Sequence, residues 1–186
     1  MVLLYTPKLE LGKTMPDFNL LGVDNEQWNL NKCMGENGLV VMFICNHCPY
    51  VKSIQNSLVA DANAMKKFGV NVVAIMSNDI NDYPEDSYEN MQKVAEQKHY
   101  PFPYLLDIKQ DIAKAYGAVC TPDIFGLDKN SQLHYRGRLD AAARDESAEE
   151  LPRDLVNAMQ ELVVAGKITS EQIPSQGCSI KWINND

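Results

Sequence analysis

The chain reads as an α/β protein with a mixed β-sheet flanked by helices, and three features predict this. Residues 39–44, LVVMFI, form an apolar run rich in branched side chains, the pattern of a strand buried on both faces. Residues 50–68 then set Val51, Ile54, Leu58, Ala62 and Met65 at spacings of three and four, which gathers them on one helical face. A second buried run occupies residues 70–76, after Gly69, the residue expected to end that helix. Two buried strands joined by such a helix make a parallel βαβ unit.

The other elements follow in order. A loop from Met15 enters a short strand near Leu20, and a turn over residues 22–27 leads to a second strand over 28–30, an N-terminal hairpin. Residues 77–85 form a polar loop, and Asp86 or Ser87 is placed to cap a helix reaching about Lys98. Tyr104, Leu105 and Leu106 give a short strand, and residues 110–116 a short helix ended by Gly117. Residues 124–127 and 133–136 flank a turn and predict a second hairpin. A closing helix is predicted over 148–165, with Leu151, Leu155, Ala158, Met159 and Leu162 on one face, before a short tail over 177–182.

Composition narrows the function. The 186 residues are 45% hydrophobic and 23% charged, ordinary for a globular protein, with a formal charge of −8. Binding to nucleic acid needs clustered Lys and Arg, which this chain lacks in any contiguous run. No apolar stretch is long enough to span a membrane. The first ten residues lack the charged and apolar parts of an export signal, so a cytoplasmic protein is expected. Five cysteines, an odd number, are too few for a disulfide scaffold and point to reactive or buried thiols.

Cys45-Asn46-His47-Cys48 is the feature that carries chemistry. A buried strand running into this pair at a helix start predicts Cys45 near the N-cap, where free N–H groups and the helix dipole favour a thiolate. Cys48, one turn on, lies within reach for a disulfide. Cys45 is then the nucleophile that opens a substrate disulfide, and Cys48 the thiol that resolves the mixed disulfide. His47 beside the thiolate favours the charged form and makes the pair more oxidising. Such chemistry needs no cofactor or metal. Its partners are protein or small-molecule disulfides and thiols and a separate redox partner, with neither nucleic acid nor membrane. The alternatives are a peroxidase acting through Cys48, or a Cys/His module holding zinc or copper with Cys45, His47 and Cys48.

The string from Cys45 through Pro49-Tyr50-Val51-Lys52, the later Cys120-Thr121-Pro122-Asp123-Ile124-Phe125 and the closing Gly177-Cys178-Ser179-Ile180-Lys181-Trp182 resemble the thioredoxin-like redoxins. That group includes the AhpC/TSA and TlpA/ResA-type proteins. The resemblance implies one thioredoxin-like domain over residues 1–186, with a redoxin-type insertion and thiol–disulfide or antioxidant activity. It also implies that Pro122 is a cis-proline facing the dithiol, leaving Thr121 to pair with an incoming peptide strand. Three departures stand out. Leu39 occupies the place of the buried acid of thioredoxins, and Ile44 that of their tryptophan. Val41 and Cys45 stand where a peroxiredoxin built on Cys48 would have proline and threonine.

Several residues have competing readings. Cys120 is either a third redox thiol or a small buried hydrophobe. Cys178 is either a resolving thiol that swings in on a mobile tail or a bystander in a tail packed through Ile180 and Trp182. Cys33 is given no role. Arg136 and Arg138 stabilise a thiolate or, more commonly for a hairpin, face solvent. Tyr50 shields the dithiol or simply packs. Asp79, Asp82, Glu85 and Asp86 form an acidic loop without calcium-loop spacing, read as solvent-facing.

Overall fold

A computed structural model describes residues 3–7, 10–141 and 152–183. Its centre is β4 (Gly38–Phe43), with every residue buried. Because side chains alternate along a strand, Val40 and Met42 enter one apolar layer, while Leu39, Val41 and Phe43 enter the other. α2 (Pro49–Lys66) buries Val51, Ile54, Leu58, Ala62 and Met65, and the chain returns as β5 (Val70–Met76), parallel to β4. The final turn before Gly69 tightens to bonds spanning three residues, so α2 stops sooner than the apolar spacing suggests. Gly69 still takes the left-handed conformation, φ 79°.

Around this unit the sheet runs β3-β2-β6-β5-β4-β8-β9. β2 (Asn19–Gly22) and β3 (Gln27–Asn29) are the N-terminal hairpin, and β6 (Tyr104–Leu106) pairs β5 in parallel and β2 antiparallel. β8 (Asp123–Asp128) and β9 (Leu133–Arg136) form the second hairpin, with β8 antiparallel to β4. α3 (Tyr88–Gln97) and α4 (Asp111–Tyr116) lie where expected, and a four-residue helix, α1 (Leu30–Cys33), follows the first hairpin. The mixed sheet with helices on its faces is the predicted architecture.

Two expectations change. The closing helix, α5 (Asp154–Ala165), starts later than residue 148; residues 148–151, Leu151 among them, lie outside the described residues. Pro152 and Arg153 precede the helix and are not helical, Arg153 serving as its N-cap. The tail is also not loose. β10 (Gln176–Ser179) sits between β1 (Leu3–Tyr5) and β7 (Cys120–Thr121) in a second, three-stranded sheet. Among the described residues no helix is long and apolar enough to cross a membrane.

Candidate active site

The Cys45–Cys48 loop lies between β4 and α2. Pro49 takes the first helical position, where a missing N–H costs nothing, and this makes Cys48 the N-cap. The expectation that Cys45 holds that place is therefore corrected: the helix begins past Cys48, and Cys45 sits a turn outside it. Both thiols are buried, with 1% and 0% of their surfaces exposed.

Charge settles on Cys48. The Cys45 thiol donates to it and lowers it to about 4; burial opposes this, while the thiol and N–H of Cys178 and the N–H of Val51 add to the lowering. The carbonyl of Thr121, 3.1 Å from Cys48 Sγ, works against the charge, but it is one acceptor facing four donors. Cys45 is raised well above the usual thiol range, first because it keeps its proton in the bond to Cys48, then by burial and by the charge of Asp86. The Thr121 hydroxyl lies 3.3 Å from Cys45 Sγ and opposes that rise. The lowering of Cys48 and the raising of Cys45 favour the charge on Cys48, whereas the spacing led to the expectation of a charge on Cys45.

Asp86 organises the loop and was missed in the acidic segment. Its carboxylate is fully buried and accepts from the backbone N–H of Asn46 (2.8 Å) and of His47 (3.2 Å), from the Asn78 amide (2.8 Å) and from His47 Nδ1 (2.7 Å). Burial pushes its acidity toward the neutral form, yet these donors, His47 foremost, hold it below the usual carboxylate range. A carboxylate can only accept, so His47 Nδ1 carries a proton toward Asp86 and Nε2 is left free of that bond. Nε2 is buried and has no hydrogen-bond partner among the described residues. The ring stacks on Tyr83, centroids 5.1 Å apart. Ser87, the other candidate cap, does cap α3 by accepting from Asn90 N–H. Of the other acids in the loop, Asp79 is also buried, whereas Asp82 and Glu85 are exposed.

Asn78 continues the network to the tail, its Oδ1 accepting from Lys181 N–H (2.9 Å). Buried Gln110 donates to the carbonyls of Ser77 and Lys181 and accepts from Ile183 N–H. These bonds and the β10 ladder hold Cys178, 1% exposed, with its Sγ 3.1 Å from Cys48 Sγ. Cys178 therefore reaches the site without swinging, and a tail that packs through Ile180 still brings its cysteine to the dithiol. Burial, then the bond and charge of Cys48, raise it to about 12.

Thr121-Pro122 is cis, as the resemblance implies. The edge of Thr121 is not open to a peptide, however, because β10 already pairs there, Cys178 opposite Thr121 and Ser179 opposite Cys120. Cys120 is buried and raised above the usual range by burial; its Sγ approaches the carbonyl of Pro122 at 3.5 Å. Cys33, raised to about 12 by burial, packs in the apolar layer with Phe18 and Leu30. Leu39 is fully buried in that same layer, so no acid is missing from a polar position there.

Arg136 is not solvated. It is 6% exposed, clamps Asp123 through Nε (3.1 Å) and Nη2 (2.8 Å), and donates to the Gly117 carbonyl. Its charge serves that buried pair. Arg138 pairs Asp154 at 2.6 Å. It lines a cleft of about 210 Å³ beside Pro122, with Tyr50, Ser53 and Ser175. For a metal, the converging donors are Cys45, His47 and Asp86, within 4.8 Å of one another. Both Asp86 oxygens already accept N–H bonds, which fits a loop clamp better than a ligand set.

Solved structures of similar shape carry the same framework. An uncharacterized conserved protein from Geobacillus kaustophilus is 43% identical, with a TM-score of 0.92 over 100% of this chain and 99% of that one. A hypothetical protein from Sinorhizobium meliloti 1021 is 36% identical, with a TM-score of 0.89 over 96% and 98%. The thioredoxin domain of a thiol-disulfide oxidoreductase from Bacteroides vulgatus, 19% identical, shares the fold with a TM-score of 0.64 over 84% and 99%. A search of curated proteins gave no match. The AhpC/TSA family model matches residues 11–136, from the N-terminal loop through the dithiol and the cis-proline to the end of β9. On that match, over most of the chain, and on the thioredoxin-like fold around it, the protein belongs to the AhpC/TSA family.

Proposed function

We propose that this protein is a thiol–disulfide oxidoreductase working through the Cys45–Cys48 dithiol. The observation that carries the reading is a pair of buried thiols in the loop between β4 and α2, Cys48 at the N-cap of α2 and lowered, Cys45 raised beside it. In this reading Cys48 is the nucleophile and Cys45 the resolving thiol, the reverse of the order first expected; the lowering of Cys48 and the raising of Cys45 support it. Cys48 attacks one sulfur of a substrate disulfide, forming a mixed disulfide and expelling a thiolate. That step removes the Cys48 charge and with it the main reason Cys45 keeps its proton. Cys45 then attacks Cys48 Sγ, the second thiolate leaves, and the enzyme holds a Cys45–Cys48 disulfide. His47, oriented by Asp86 and with a ring nitrogen within 4.8 Å of Cys45 Sγ, is the acceptor this reading gives the Cys45 proton.

The occupied Thr121 edge favours small disulfides over extended peptides, and the cleft beside Pro122 is sized for the non-reacting part of one. Buried thiols suit a reducing compartment, and the cytoplasm is the location this reading takes. Both sulfurs are covered in the state described, so reaction requires the wall around them to open.

A low thiol on Cys48 alone equally suits a peroxidase, and two measurements on the purified protein decide. Hydrogen peroxide consumption that survives Cys45→Ser and disappears in Cys48→Ser contradicts exchange as the main activity. Stoichiometric bound metal that blocks thiol titration rules out both enzymes. Exchange predicts no metal block, negligible peroxide turnover, and reduction of oxidised glutathione that needs Cys48.

A further inference from the structure

We infer that Cys178 is a third redox thiol of this site and that Cys48 forms a disulfide with it as well as with Cys45. The inference rests on the dithiol reading and extends it. Cys48 Sγ lies 3.1 Å from Cys178 Sγ, so an approach of about 1 Å reaches the S–S bond length. Three features hold Cys178 there. β10 is fixed on both edges, by β1 and by β7. Its register puts Cys178 opposite Thr121, whose carbonyl also touches Cys48 Sγ. Finally, a side chain at Gly177 would overlap the Thr121 carbonyl, so glycine is what lets the strand lie this close. Cys178 thus stands on the strand that occupies the edge where a substrate peptide would pair, in the place of a substrate cysteine. Cys120, one step along β7, shows no sulfur contact of this kind among the described residues.

The chemistry balances without an added component. A small disulfide RSSR accepts the Cys48 thiolate, giving Cys48–S–S–R and one thiolate. The sulfur of Cys178 attacks Cys48 Sγ, the S–S bond between Cys48 Sγ and the R-bearing sulfur breaks, and the proton of Cys178 ends on the second departing thiolate. Two protein thiols are oxidised and RSSR is reduced by two electrons. In the intact protein the same attack on a Cys45–Cys48 disulfide is an isomerisation that returns Cys45 to its thiol. Loss of the Cys48 charge favours it, since that charge helps keep the Cys178 proton in place.

The test titrates the reduced full-length protein, Cys45→Ser and Cys45→Ser/Cys178→Ser with oxidised glutathione, then quenches with acid and maps disulfides by mass spectrometry. The glutathione adduct on Cys48 should decay in Cys45→Ser to a Cys48–Cys178 link, at least about tenfold faster than in the double variant, as expected for a thiol held in contact. An adduct that persists equally in both, with no Cys48–Cys178 peptide, overturns the inference; Cys45→Ala replaces Cys45→Ser if the latter does not fold. The wild-type arm separates the two readings. A Cys45–Cys48 link there together with a persistent adduct in Cys45→Ser removes only Cys178. A wild type that forms Cys48–Cys178 but never Cys45–Cys48 removes the dithiol reading and keeps Cys178.

Discussion

Replacing Cys48 with serine is expected to lower disulfide reduction by about a thousandfold or more, since it removes the attacking atom itself. Cys45→Ser should behave differently: a reactive Cys48 remains and still opens the substrate disulfide, its mixed disulfide passing to Cys178 instead of Cys45. The pH dependence is the sharper signature. With Cys48 lowered to about 4, its alkylation by iodoacetamide, measured on the folded reduced protein, should stay level from pH 8 to about pH 5 and fall as pH drops through 4. Because burial makes the absolute rate depend on opening as well as ionisation, the profile is the quantity to compare. A Cys48 profile rising through the ordinary thiol value near 8.5 contradicts the charge assignment.

The second large effect is expected at Asp86. In Asp86→Asn one oxygen still accepts from the Asn46 and His47 N–H groups, but the new amide faces two donors, His47 Nδ1 and the Asn78 amide. The imidazole loses its fixed tautomer. Resolution of a preformed mixed disulfide on Cys48, followed as thiol release in a single turnover, should slow by roughly 10–100-fold, the usual cost of losing the group that orients a functional histidine. A merely structural role would lower the folded fraction without altering the pH profile of that step. The catalytic reading predicts that the profile itself changes in Asp86→Asn and is restored in part by Asp86→Glu. Asp86→Ala leaves four donors unmet, two of them fully buried, and should cost about 3–5 kcal/mol in urea unfolding.

The main frame of the fold was legible because its signals are local. Residues 39–44 and 70–76 advertise buried strands by composition alone, and α2 shows its face in five apolar residues. The Cys45–Cys48 spacing and its strand–helix setting were equally local. What escaped depends on contacts far apart in sequence. Asp86 meets the loop across about forty residues, and its acidic neighbours made the segment look solvated. Cys178 reaches Cys48 only through the pairing of β10 with β7, which no periodicity in a four-residue strand reveals. The ionisation of the pair, by contrast, could have been read locally. Proline favours the first helical position, so Cys48-Pro49 already marked Cys48 as the N-cap.

The central claim is that the Cys45–Cys48 dithiol is a redox pair whose reduced form is stabilised by a thiolate on Cys48. A stabilised thiolate makes the corresponding disulfide easier to reduce, so the pair should be more oxidising than a thioredoxin. The most direct test equilibrates the protein in glutathione buffers of stepped potential and follows the Cys45–Cys48 link by mass spectrometry. One two-electron transition is expected, at a potential less negative than about −200 mV. A transition near −270 mV, as reducing as thioredoxin, or no Cys45–Cys48 disulfide at any potential, contradicts it.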